Sequence, residues 1–293
     1  MTNCLIDYKH RIKEHKAFHI KPTNVVLWCA IVIVILLQLT NSTIGQTTSN
    51  NASQNPDAKG LEIAAEAERR DSGFGDFTAE LLMVLKNRHG EESTRYMRNK
   101  VLEMEDDSDK SLLIFDRPND IKGTALLTYS HKKGPDDQWL YLPALKRVKR
   151  IASNNKSGPF MGSEFAFEDL SSEEVEKYTY KFIKNETIDG VDYYIVERYP
   201  VDPKSGYTRQ TLWYNKEEYR IHKIDYYDRK NDLLKTLTYH NYNQYLGKFW
   251  RAGEMFMVNH QTGKSTRALW KNYKFKAGLT ERDFDINSLK RVK

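Results

Sequence analysis

From residue 76 to residue 276 apolar and polar residues alternate with a period of two, and turn signals interrupt the alternation every 8–15 residues. Such a pattern admits little besides a long antiparallel meander, because successive side chains of a strand point to opposite faces and short turns join neighbours. Strands are predicted at 76–86, 93–104, 111–116, 123–130, 138–142, 146–151, 178–185, 192–199, 207–214, 220–228, 233–245, 249–260 and 265–276. His89-Gly90, Asp189-Gly190, Asn231-Asp232 and Thr262-Gly263 supply turn chemistry between them. A twisted open sheet seldom exceeds about ten strands without curling or splitting. The expectation is therefore a mainly β fold with few helices, in which one strongly curved antiparallel sheet of about 11–13 strands forms a half-barrel capped by helices. The interior of such a sheet would be an apolar hollow.

Individual strands carry readable faces. In 76–86 one side holds Phe77, Ala79, Leu81, Met83 and Leu85, and the other mostly polar residues. In 249–260 both sides are apolar, with Phe249, Met255 and Met257 against Trp250, Phe256 and Val258, so both sides should be covered. Thirteen of the 18 tyrosines fall between Tyr178 and Tyr245. Tyrosine suits strands whose rings pack at one end and meet water at the other, so core and rim packing is the simplest role for them. Ahead of the strands, Leu61, Ile63, Ala64 and Ala65 make the apolar stripe of one short helix over 61–70. At the other end, Thr280 before Glu281 and Asp283 predicts a short terminal helix.

Lys9, Arg11, Lys13, Lys16 and Lys21 precede an apolar run, Val25–Leu37, of 13 residues. A bilayer-spanning helix needs roughly 20 apolar residues and a secretory core about 7–15, so the length favours an export signal over an anchor. Thr43-Ile44-Gly45 offers a cleavage point that matches the small-residue rule poorly, and an uncleaved tether stays open. The organisation read from these features is a signal peptide or N-terminal membrane segment over 1–45, a flexible linker over 46–58 and one domain over 59–293. Cys4 and Cys29 are the only cysteines, so the domain can form neither a disulfide nor a thiolate metal site. An exported chain without disulfides points to the envelope of a bacterium, with a membrane tether as the alternative if the leader is retained.

The chemistry-bearing motifs are mostly absent: there is no phosphate loop, dinucleotide fingerprint, Gly-x-Ser-x-Gly elbow or His-Glu-x-x-His. His222, His240 and His260 fall on adjacent predicted strands, yet lone strand histidines are usually rim residues, so no metal ligand, catalytic residue or cofactor is assigned. The net charge of +6 balances 46 basic against 40 acidic residues, and falls to +3 without residues 1–45. That excess is no polyanion signature, and nucleic acid is not an expected partner. Lys146, Arg147, Lys149 and Arg150 form the strongest basic cluster; they read either as a solvated strand edge or as a docking patch for a membrane surface or acidic partner.

Three stretches carry a family resemblance: Gly123-Thr-Ala-Leu-Leu-Thr-Tyr129; Asp136-Asp-Gln-Trp-Leu-Tyr-Leu-Pro-Ala-Leu-Lys-Arg-Val-Lys-Arg-Ile151; and Gly158-Pro-Phe-Met-Gly-Ser-Glu-Phe-Ala-Phe-Glu-Asp-Leu170. In this order they resemble the outer-membrane lipoprotein-sorting protein family, which is similar to the periplasmic lipoprotein carriers of the Lol type. The resemblance implies a half-barrel capped by helices whose hollow holds acyl chains in transit, and no enzymatic activity. It also implies partners: a lipoprotein or lipid cargo, an inner-membrane exporter for which the resistance-nodulation type is one candidate, and an outer-membrane acceptor.

A hollow for acyl chains needs flexible apolar lining, since each buried methylene contributes about 0.8 kcal/mol. The candidates are Phe160, Met161, Phe165 and Phe167, grouped around Gly162-Ser163 as a covering loop, together with Trp139, Tyr141, Leu81, Met83, Met255, Met257 and Ile63. The simpler role for the phenylalanines is to plug the half-barrel as core. Trp139 and Tyr141 lie on one face of their strand and Leu140 and Leu142 on the other; the alternation does not say which faces the hollow. Two other functions fit the same chain, a non-carrier interaction module of an export complex and an envelope hydrolase.

Overall fold

A computed structural model describes residues 55–105, 107 and 109–291. The leader and most of the predicted linker lie outside the described residues. Within them, one α-helix precedes thirteen strands: α1 (Pro56–Asp71), β1 (Asp76–Lys86), β2 (Glu92–Leu102), β3 (Asp109–Arg117), β4 (Ala125–Ser130), β5 (Asp137–Leu142), β6 (Arg147–Arg150), β7 (Tyr178–Ile188), β8 (Val191–Pro200), β9 (Arg209–Asn215), β10 (Ile221–Tyr227), β11 (Leu233–Tyr245), β12 (Phe249–Asn259) and β13 (Ser265–Phe275). Every predicted strand is present.

The strands form one antiparallel sheet in the order β6-β5-β4-β3-β2-β1-β13-β12-β11-β10-β9-β8-β7. Two meanders, β1–β6 and β7–β13, are joined where β1 pairs with β13, with Leu81 opposite Trp270 and Met83 opposite Ala268. The sheet is not closed, because β6 and β7 are its free edges. Yet a single hydrophobic cluster draws Leu140 from β5, Leu126 from β4, Phe115 from β3, Met97 from β2, Met83 from β1, Met257 from β12, Leu237 from β11, Leu212 from β9 and Tyr180 from β7. One face of twelve strands, β1–β5 and β7–β13, converges on one core only if the sheet curls around it.

Between β6 and β7 the chain runs from one edge of the sheet to the other over that inner face. This strap, residues 151–177, carries a tight hairpin in which Pro159 bridges Ala166 and Phe160 N–H donates to the Phe165 carbonyl at 2.7 Å. Met161 and Gly162 turn the hairpin at φ +47° and +80°, conformations that Gly adopts at no steric cost. Its tip is pinned across the hollow: Glu164 N–H donates to Thr266 Oγ1 at 2.9 Å, and Asn259 Nδ2 donates to Glu164 Oε2 at 2.7 Å.

The helix starts five residues before its predicted position, so residues 56–58 belong to it and not to the linker. Asn55 caps it by accepting from Asp57 N–H at 3.0 Å, Pro56 opens its first turn, and Arg69 and Arg70 close the last. The buried stripe is Gly60, Ile63 and Ala64, while Leu61 is 47% exposed, so the stripe is rotated from the predicted one. The cause is Gly60, where a Cβ would stand 2.8 Å from Phe182 N in β7; the helix backbone presses directly on the strand backbone there.

On the outer face, a second cluster of Leu112, Ile114, Ala125, Leu127 and Tyr141 is covered by Phe284 and Leu289. The predicted terminal helix is two 3-10 turns, Glu281–Phe284 and Ile286–Arg291. Thr280 stands at the predicted N-cap position, and its N–H donates to Asp283 Oδ2 at 3.0 Å. On β12 Trp250, Phe256 and Val258 are half-buried, with the Arg220 guanidinium 5.6 Å from the Trp250 ring and the Arg267 guanidinium 5.1 Å from the Phe256 ring.

Candidate functional site

The strap fills only part of the inner face. Beneath α1, between the strap, the end of β2 and the strands β9–β13, a cavity of about 1460 Å³ stays open. Tyr180, Tyr214, Tyr239, Tyr242, Trp270 and Met255 supply its walls. A smaller cavity of about 340 Å³ lies on the other side of the strap and shares Arg198, Tyr239 and Met255 with the large one. Burial drives the Tyr239 phenol well above its ordinary pKa and raises Tyr180, Tyr214 and Tyr242 as well, so these hydroxyls stay neutral at physiological pH. The tyrosine part of the wall is therefore uncharged, able to pack a chain and offer scattered hydrogen bonds, while Glu68, Arg70, Glu103, Arg220 and Arg251 are among the charged residues that also line the cavity.

Two ion pairs with buried cations hold the strap to the sheet, and of their members Arg198, Glu173 and Asp169 also line the cavity. Arg198 on β8 has 4% of its side chain exposed and forks onto Glu173 of the strap at 2.8 and 3.0 Å. Its Nε donates to Gln210 Oε1 at 2.7 Å, and its guanidinium lies 4.2 Å from the Tyr178 ring. Lys235 on β11 donates to Asp169 Oδ2 at 2.7 Å and to the Glu164 carbonyl at 2.9 Å. Asp169 also accepts from the Ala166 N–H at 2.7 Å and the Tyr207 hydroxyl at 2.8 Å. Both groups tie sheet to strap. At the rim, Arg251 pairs with Asp71, Lys248 donates to the Ser72 carbonyl at 2.5 Å, and Glu103 accepts from Gly73 and Gly75 N–H at 2.6 and 2.7 Å. These contacts fix the segment between α1 and β1 beside the cavity mouth.

The lining predicted from sequence is placed differently. Phe160 is 0% exposed and Phe165 3%, with the Phe160 ring 5.7 Å from Phe115 and 5.5 Å from Phe167. They form the plug of the half-barrel, with Met161 and Phe167 packed on it, and none of the four borders the cavities. Ile63, Leu81, Met83 and Met257 are also core. Trp139 and Tyr141 lie on the outer face beneath the C-terminal turns, because Leu140 and Leu142 take the inner positions of β5. Of the predicted set only Met255 reaches the hollow.

The basic cluster sits on the free edge of the sheet. Lys146, Arg147, Lys149 and Arg150 are exposed, and pairing with β5 divides β6 between the two faces, with Arg150 paired to Asp137. His240 and His260 hydrogen-bond to Thr238 and Thr236 at 2.8 Å, and among the described residues no histidine joins a group of metal-ligating side chains.

Arg198, Lys235, Tyr239 and Trp270 were not singled out from sequence, although a signal existed. Arg198 shares strand parity with Val196, and Lys235 with Leu237, so each places a charge in an apolar register. A charge in that position must find a buried partner or an opening.

A family model described as an uncharacterized protein matches residues 107–291. No curated protein matches the chain. Among solved structures, a candidate outer membrane lipoprotein-sorting protein domain from Vibrio parahaemolyticus is 58% identical, with a TM-score of 0.79, covering 80% of this chain and 100% of its own. A DUF1329 family protein from Desulfovibrio piger is 31% identical with a TM-score of 0.76, over 80% of this chain and 99% of that one. A LolA superfamily protein from Nitrosomonas europaea, 22% identical with a TM-score of 0.62 over 78% and 98% of the two chains, shares the fold. A curled sheet with an unfilled aromatic hollow, and 58% identity across the whole of the Vibrio domain, place this chain in the outer-membrane lipoprotein-sorting protein family.

Proposed function

We propose that the protein is a periplasmic carrier that holds the acyl chains of a lipoprotein or lipid in the hollow beneath α1 and moves them toward the outer membrane. The observation that carries this reading is the cavity of about 1460 Å³ left unfilled inside an otherwise packed sheet. It exceeds the roughly 300–1,000 Å³ of ordinary small-molecule pockets. Protein interiors otherwise close to near-crystalline density, so an open pocket of this size, with tyrosine and tryptophan rings among a charged lining, is a place for something else. Neutral tyrosines suit an amphiphile, because their rings pack on methylenes while their hydroxyls meet ester or amide groups. The walls present no activated nucleophile, and the reading is a carrier, not an enzyme. Carriage across the periplasm requires an exporter at the inner membrane to load the hollow and an acceptor at the outer membrane to empty it.

Native mass spectrometry with lipid extraction, on the full chain produced in a Gram-negative host, tests the reading. A co-purifying phospholipid or acylated peptide is expected. A clean apo mass, unchanged after incubation with membranes, would sink it.

A further inference from the structure

The pentapeptide Leu-Lys-Arg-Val-Lys occurs twice in the chain, at 145–149 and 289–293. The first copy runs from the β5–β6 turn into β6, and the second begins in the last 3-10 turn, Ile286–Arg291. The fold brings the two together: Leu289 is 0% exposed in the outer cluster, and Val148 of β6 packs against that same cluster. Lys146, Arg147, Lys149, Arg150 and Lys290 are all exposed there, so five cations gather at the free β6 edge. Arg150 is paired with Asp137, but among the described residues no carboxylate pairs with the other four. The acids of the C-terminal turns are engaged elsewhere, Glu281 with Lys110 and Asp283 with Lys100, while Asp285 accepts from Asn287 N–H at 2.9 Å. Leu145, at the tip beside these cations, is 62% exposed, more than any other large apolar side chain among the described residues.

We propose that this basic face docks the protein on an anionic phospholipid surface, with Leu145 reaching into the headgroup layer. Two occupants have the right charge, an acidic protein segment and a bilayer, and the geometry favours the bilayer. β6 is only four residues long and three of them are cationic, features that block the addition of a partner strand at an edge. A bilayer needs no strand pairing. Its anionic headgroups attract clustered lysines and arginines additively, and an exposed leucine beside them adds apolar contact with the acyl boundary. Protection of the edge would require charge on β6 alone, whereas here the second copy of the pentapeptide adds Lys290 next to it. Neither residues 145–150 nor Lys290 line the two cavities, so this docking is independent of the carrier reading and of what the hollow holds.

Co-sedimentation of the full chain with phosphatidylcholine vesicles, with and without phosphatidylglycerol, tests this, with partition coefficients taken from lipid titrations. Binding is expected to be stronger to the phosphatidylglycerol vesicles in about 0.1 M salt and to fall about tenfold or more in about 1 M salt, as the screening length contracts from about 10 to about 3 Å. Joint substitution Lys146→Glu, Arg147→Glu and Lys149→Glu should weaken it by more than about tenfold, and Lys290→Gln by about fivefold. Residues 1–45 are common to all the proteins compared, so their own affinity for lipid cancels in each ratio. If the triple variant gives no cooperative melt, Lys290→Gln alone decides. Wild-type partitioning by the folded variants overturns the proposal, as does equal binding to the two kinds of vesicle. Capture by immobilised polyglutamate without any preference for phosphatidylglycerol also overturns it, and assigns the face to an acidic protein.

Discussion

Arg198 and Glu173 form a forked pair in which a guanidinium with 4% of its side chain exposed depends on a carboxylate with 44% exposed. One partner belongs to the sheet and the other to the strap, so the buried charge is satisfied only while the strap lies across the inner face. Gln210 and the Tyr178 ring complete the surroundings of the guanidinium but supply no counter-charge.

Removing Glu173 should therefore cost more than its exposure suggests. A charged hydrogen bond of this kind contributes about 1.5–3 kcal/mol, at the lower part of that range where water can replace the lost partner. Glu173→Ala is expected to lower the melting temperature by about 4–8 °C. A thermal melt within 1 °C of wild type would mean that the strap is not held at this point.

Asp169 and Lys235 are a different case, since both are buried, at 5% and 4% of their side chains. Asp169→Ala strands the ammonium and also removes the acceptor for Ala166 N–H and the Tyr207 hydroxyl. Breaking a buried pair costs about 3–5 kcal/mol, so this variant should be the less stable of the two in urea unfolding. Equal midpoints for the Asp169 and Glu173 variants would contradict the burial difference.

Strand number, turn positions and curvature were legible in the sequence because period two and strand count are local or additive properties. The hollow was not. Its walls come from strands far apart in sequence, and which face of β5 turns inward is set by the coverage of the other face by Phe284 and Leu289. Phe160 and Phe165 were ambiguous for the same reason: an apolar hairpin reads alike whether it covers a cavity or fills it, and the pinning of Glu164 by Thr266 and Asn259, about 95–102 positions away in the chain, decides for filling. The cluster of tyrosines between Tyr178 and Tyr245 was read as packing, and several of those rings in fact border the open space. Tyrosine serves both roles with the same side chain.

Gly60 gives a test of how α1 is seated. Alanine is the better helix former by about 1 kcal/mol, so propensity alone predicts a gain from Gly60→Ala. The added Cβ would meet Phe182 N at 2.8 Å and Lys181 C at 2.9 Å, both backbone atoms that cannot rotate away. The variant is expected to melt below wild type, and increased stability would show that α1 does not rest on β7 in solution.

The pH dependence of stability follows from Glu174. Burial raises its carboxyl from 4.5 to about 7, with the Asp109 charge adding to the shift. Glu68 and Asp109 are raised too, again chiefly by burial. A group raised in the folded state favours folding while it is protonated, so its contribution is complete below the unfolded value and is lost as the pH climbs toward 7. A shift of this size corresponds to at most about 3 kcal/mol, and to less where water screens the carboxyl. Wild type should lose stability from pH 4.5 to pH 7.5, and Glu174→Gln should flatten most of that slope. Parallel slopes for the two proteins in urea unfolding would remove Glu174 as the cause.

The plug and the hollow can be separated by two substitutions. Phe160 has no exposed surface and packs against Phe115, so Phe160→Asp places a carboxylate in the core and should abolish cooperative unfolding altogether. Met255 is half-buried and borders both cavities, so a glutamate there can point its charge into open space. Met255→Glu should keep a cooperative melt within a few degrees of wild type while reducing co-purified acyl chains severalfold, because each methylene denied an apolar wall forfeits about 0.8 kcal/mol. If the Met255 variant keeps its full lipid content while folded, acyl chains are held elsewhere than beneath α1. If it loses lipid while the melt is preserved, the aromatic hollow, and not the phenylalanine plug, is where the cargo sits.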